Sequence, residues 1–183
     1  MELQETEDMM MKNNMTTIYI VRHGQSQYNE LANKNSFKPG MWGERGDQLT
    51  TKGREQVKEI AKQLQKIHFD AIFSSDLARA TQTAEIIKLG RELTVQTRQT
   101  IRERLSYIFP GKSIHESEEE LKELIKNLDN KAKMAYKLDN NFESTNETAA
   151  RMITFLREIA VAYRNQTVLV VNHGNICVHF CSI

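Results

Sequence analysis

A chain of 183 residues with 39% hydrophobic and 27% charged side chains has material for one compact domain, with room for a small cap, and too many apolar groups for intrinsic disorder. Its 25 Lys and Arg are matched by 24 Asp and Glu, so no chain-wide positive field gathers nucleic acid or an anionic membrane, and any anion site is local. No apolar run approaches the ~20 residues of a bilayer crossing, and the acidic, Met-rich start lacks the order of a signal peptide, so the expectation is a soluble, cytoplasmic protein.

Residues 1–14 show no periodicity and read as a leader or extension without chemistry, ahead of a single domain over 15–183. Thr16, Thr17, Ile18, Tyr19, Ile20 and Val21 form a β-branched and aromatic run whose continuous bulk predicts a central strand. A stretch with Gly40, Gly43 and Gly46 follows, without Walker or dinucleotide spacing, and reads as a flexible loop. Val57, Ile60, Ala61, Leu64 and Ile67 then repeat at helical spacing behind the capping candidates Thr50 and Thr51. Ala71, Ile72 and Phe73 predict a short strand, and Ser74, Ser75 and Asp76 a cap for a helix carrying Leu77, Ala80, Thr81, Ala84 and Ile87 up to Gly90.

A weaker strand is expected at Leu93, Thr94 and Val95, followed by an irregular segment with Pro110 and Gly111. Ser117 to Glu120 has the pattern of a capping box, which predicts a peripheral charged helix from Glu118 to about Leu138. A second box, Ser144 to Glu147, opens a helix with Met152, Phe155, Leu156, Ile159 and Tyr163, and Thr167 to Val171 is the last apolar strand. Strands alternating with helices predict a three-layer α/β/α sandwich on a mostly parallel sheet, with a small helical cap or insertion at about 104–141.

In such sheets the ligand crevice lies beyond the carboxyl ends of the strands. The first predicted strand runs into Arg22-His23-Gly24, the second into Ser74-Ser75-Asp76 with Arg79 one turn on, and the last into Asn172-His173-Gly174. Guanidinium charges depress the pKa of a nearby imidazole and hold it neutral, which suits an anion beside a neutral nucleophile. A phosphoryl group asks for that pairing: planar forks for its oxygens and an unprotonated ring nitrogen in line with the leaving oxygen.

These residues resemble the histidine phosphatase superfamily, also called phosphoglycerate-mutase-like. The likeness runs from about Ile18 to Asn175, through Arg22-His23-Gly24-Gln25-Ser26 with Asn29, Asp47 to Gly53 with Gln56, Ser74 to Ala84, Phe142-Glu143-Ser144 with Arg151, and Asn172-His173-Gly174. The resemblance implies a hydrolase of the phosphatase branch acting on a small phosphorylated metabolite. In it, His23 attacks phosphorus to become phosphohistidine, Arg22, Arg79 and His173 surround the transferred group, and Glu103 protonates the leaving oxygen. Asn29, Ser26 and the Gly174 amide are further phosphate-binding candidates. Preorganised arginine donors stabilise the equatorial charge of the transition state, so no metal or other cofactor is expected.

Two other functions compete. A phosphoglycerate-mutase-type phosphotransferase would need a closed site that retains a bisphosphorylated intermediate and excludes water, for which so short a chain spares few residues. A catalytically weak phospho-ligand-binding regulatory module is motivated by the run Leu105 to Gly111 after Glu103, unlike the family's usual pattern, and by the nine residues, 175–183, that follow Gly174. Cys177 and Cys181 read as free thiols, and His173, Cys177, His179 and Cys181 do not read as a zinc site, because only two of them share a helical face.

Overall fold

The computed structural model describes residues 15–33, 47–104, 109 and 112–174. Expectations for residues 1–14, Gly40, Gly43, Gly46, residues 105–108, Pro110, Gly111, Cys177, His179 and Cys181 lie outside them. Strands β1 (Thr17–Arg22), β2 (Ala71–Ser75), β3 (Val95–Arg98) and β4 (Thr167–Asn172) form one four-stranded sheet in the order β1-β4-β2-β3, with every pairing parallel. The helices are α1 (Gln27–Asn33), α2 (Thr51–Gln63), α3 (Ala78–Lys88), α4 (Ile114–Ile125), α5 (Asn130–Ala135) and α6 (Thr145–Ala162).

Alternation along the strands builds two cores. Ile72, Leu169 and Val171 face one side and pack with Val57 of α2 and Ala80, Ala84 and Ile87 of α3. Ala71, Phe73, Val168 and Val170 face the other and pack with Met152, Phe155 and Ile159 of α6. Both faces of the sheet are therefore covered, giving the expected α/β/α sandwich, and β4, buried on both, accounts for its unbroken apolar run. Among the described residues no helix is long and apolar enough to cross a membrane.

Several expectations need correction. β1 lies at the edge of the described sheet rather than at its centre: Ile20 is 37% exposed, while β4 takes the central place beside β2. β3 begins at Val95, where predicted strand residues Leu93 and Thr94 precede it. Ser74 and Ser75 stay in β2, and α3 starts from Leu77 without a side-chain cap. The capping box of α4 is Ser113 with Glu116, one turn before the predicted one, and Ser117 is buried with its Oγ accepting from the Phe109 amide at 3.0 Å. The helix expected to run to Leu138 is divided, because Asp129 caps a new one by accepting from the Ala132 amide at 2.7 Å.

Thr50 caps α2 through the Gly53 amide and Ser144 caps α6 in a full box, both as expected. The start of α2 also touches the turn after β1. Thr50 donates its amide to the Gln25 carbonyl at 3.0 Å, and a methyl on Gly53 would stand 2.0 Å from that same oxygen. Backbone against backbone cannot give way cheaply, so Gly53→Ala is expected to destabilise the fold by about 1–3 kcal/mol. A urea midpoint equal to that of the parent protein would refute this.

Candidate active site

Strand register sets the site. Arg22 pairs with Asn172 at the carboxyl ends of β1 and β4, and the ladder continues one step as the His23 amide donates to the Asn172 carbonyl at 3.0 Å. The next residue on each strand is a histidine, and the His23 and His173 rings meet edge to face with centroids 5.1 Å apart. Arg79, in the first turn of α3 beyond β2, reaches the same place: its Nε donates to His23 Nε2 at 3.1 Å.

Two contacts determine the protonation of His23. Its Nδ1 lies 2.7 Å from the Gly24 carbonyl, which only accepts, so Nδ1 carries the proton. Nε2 receives the Arg79 N–H and is therefore the nitrogen with the lone pair. Burial lowers the His23 pKa to about 4, the Gly24 carbonyl opposing and Arg79 and Arg22 assisting. At pH 6, ring nitrogen NMR is expected to show neutral His23 in the Nδ1–H tautomer, with conversion to imidazolium only near pH 4. An imidazolium already formed at pH 6 would contradict the geometry.

His173 is fully buried, and neither ring nitrogen has a hydrogen-bond partner among the described residues. Burial, then Arg79, His23, Arg151 and Arg22, holds its pKa well below 6.5. A buried polar ring left unsatisfied is costly unless something else occupies its nitrogens. A phosphate dianion would do so, and its charge would draw a proton onto the ring.

Arg79 is itself buried, and its NH1 donates to Asp47 Oδ2 at 3.1 Å, with side chains 6% and 1% exposed. The other Asp47 oxygen accepts from the Tyr28 amide at 3.0 Å, which ties α1 to the pair. Burial lowers the Arg79 pKa, while Asp47 and Glu103 oppose. Tyr28 is raised, chiefly by burial and then by Glu118, with smaller contributions from Asp47 and Glu103. Glu103 is thus an electrostatic neighbour of both Arg79 and Tyr28.

Arg22 is exposed and lies against Gly174, where a methyl would come within 2.9 Å of its Cζ. Ser26 is fully buried and donates its hydroxyl to Asn29 Oδ1 at 3.2 Å, leaving Nδ2 as the donor end of that amide. Glu103, half-buried, accepts the Arg104 amide at 3.2 Å. The structure therefore brings together His23, His173, Arg79 and Arg22, with Gly174 beside Arg22 and Glu103 near Arg79. Sequence reasoning placed Asp47 in the family-like block Asp47 to Gly53 without giving it a role, and it gave Tyr28 none. Nothing local marks the ion pair of Asp47 with a residue 32 positions away.

The family model of the histidine phosphatase superfamily (branch 1) matches residues 18–182. The chain belongs to that superfamily. It is 33% identical over 111 residues to the "Broad-specificity phosphatase YOR283W" of Saccharomyces cerevisiae, a match covering 58% of this chain and 45% of the yeast protein, less than half its length. It is also 33% identical over 163 residues to the "Putative phosphoserine phosphatase 2" of Hydrogenobacter thermophilus, covering 87% of this chain and 74% of that one. Among solved structures, YhfR of Bacillus stearothermophilus superposes with a TM-score of 0.70 at 26% identity, covering 88% of this chain and 76% of its own. A phosphoglycerate mutase from Bacillus anthracis shares the fold, with a TM-score of 0.73 at 22% identity and coverage of 93% and 80%.

Proposed function

We propose that the protein hydrolyses phosphomonoesters of small molecules through a phosphohistidine on His23, without a metal ion. The observation that carries this reading is a neutral imidazole whose Nε2 lone pair points to a buried guanidinium, beside a second neutral imidazole with no partner for either nitrogen among the described residues. An arriving phosphoryl group takes the Arg79 N–H onto one of its oxygens and frees Nε2. That nitrogen attacks phosphorus, the ester P–O bond breaks, and the Glu103 carboxylic acid gives its proton to the leaving oxygen.

In the second half Glu103, now a carboxylate, takes a proton from water as the water oxygen bonds to phosphorus and the P–N bond breaks. Arg22, Arg79, His173, the Gly174 amide and Asn29, oriented by Ser26, surround the equatorial oxygens in both halves, supplying the charge stabilisation that dominates phosphoryl transfer. The experiment is phosphate release from 4-nitrophenyl phosphate in excess chelator. Release is expected; its loss in chelator would sink metal independence, and dependence on a bisphosphate primer would identify a mutase instead.

A further inference from the structure

The residues around Glu103 are tied down in alternate directions. Ile101 is fully buried in the core beneath α6. Arg102 grips Asp76, in the turn between β2 and α3, with both arms of its fork: Nε to Oδ1 at 2.6 Å and NH2 to Oδ2. On the opposite side, Arg104 donates to Thr145 Oγ1 at 3.2 Å at the start of α6, and Arg151, itself forked onto Glu143, donates to the Thr100 carbonyl at 2.7 Å. Glu103 is the residue between two anchored arginines.

The Asp76 contact differs from the others in where it leads. Asp76 stands three residues before Arg79 on the turn that opens α3, so the fork ties the segment bearing the proposed acid to the element bearing the phosphate-binding guanidinium. Asp76 is 13% exposed and Arg102 36%, so the pair is partly shielded, and a bidentate fork fixes orientation as well as distance. A general acid works only within hydrogen-bond reach of the leaving oxygen, and small displacements cost rate steeply.

We propose that Arg102 and Asp76 are positioning residues that hold the Glu103 carboxyl in register with the phosphoryl group on Arg79. This inference rests on the role of Glu103 proposed above. Its test uses two esters of one shape, phenyl phosphate, whose leaving group needs a proton, and 4-nitrophenyl phosphate, whose leaving group does not. Arg102→Gln and Asp76→Asn are expected to lower kcat/KM for phenyl phosphate at least ~10-fold while changing the nitrophenyl ester less than ~3-fold. Adding Arg102→Gln to Glu103→Gln is expected to cause no further loss.

A purely structural role would lower both esters alike, and equal losses overturn the proposal, as does an unchanged ratio of the two rates. If Glu103→Gln shifts the ratio and Arg102→Gln does not, the positioning inference alone fails. If Glu103→Gln leaves the ratio unchanged, the role of Glu103 fails and the inference with it. Thermal midpoints of the variants serve as the control for folding.

Discussion

His23→Ala is expected to lower phosphate release by on the order of 10³-fold or more and to abolish an acid-labile, alkali-stable phosphoenzyme. The site holds two neutral imidazoles, and geometry separates their roles. The Gly24 carbonyl fixes the His23 proton on Nδ1 and leaves Nε2 aimed at Arg79, whereas no hydrogen bond among the described residues sets the tautomer of His173. A nucleophile needs a fixed lone pair; a group that answers the charge of a bound anion does not. Brief exposure to 4-nitrophenyl phosphate, alkaline quenching and peptide mapping locate the adduct. Phosphate on His173 in the parent protein would exchange the two roles, and full activity of His23→Ala would remove the covalent mechanism altogether. A retained thermal transition in the variant shows that the loss is chemical, which matters because His23 is 7% exposed and its removal leaves a cavity.

The layers of the fold were legible because most elements announce their own burial. Val168 to Val171 are apolar without interruption, and the structure buries that strand on both faces. Ile18 to Val21 show the same run, yet Ile20 is exposed, since a strand's own residues carry no information about which neighbour it finds on its outer side. The helix at Gln27–Asn33 escaped notice for a different reason. In seven residues it offers too few apolar positions for a period to show, and its start is organised by the Ser26–Asn29 hydrogen bonds. At the cap, Ser113 and Ser117 both precede an acid by three residues. Local pattern alone does not choose between two such starts one turn apart, and the burial of Ser117 does.

The site was legible where a candidate residue follows a strand directly, as His23 and His173 do, because parallel strands deliver their carboxyl ends to one place. It was illegible where a residue acts through a distant partner. Asp47 touches Arg79 across 32 positions and Arg102 touches Asp76 across 26, and neither pairing has a local signature. Asp47 braces Arg79 and Asp76 braces Arg102, so two guanidinium groups at the carboxyl end of the sheet are each held by an acid distant in sequence.

Arg79 is where that arrangement has its largest consequence. Arg79→Ala is expected to lower kcat/KM by on the order of 10²–10³-fold, since it removes the donor nearest the proposed nucleophile. It also strands Asp47, 1% exposed at its side chain, as an unpaired buried charge, which is expected to cost about 3–5 kcal/mol of stability. Arg79→Lys keeps the charge, but one ammonium cannot occupy the positions of both Nε against His23 and NH1 against Asp47, so activity is not expected to return. Removing both partners in Asp47→Ala/Arg79→Ala separates the two effects: stability in urea recovers toward that of the parent protein while phosphate release stays at the Arg79→Ala level. A double variant that regains activity would mean that Arg79 serves the fold rather than the phosphoryl group, and an Arg79→Ala protein as stable as the parent would mean that Asp47 never depended on it.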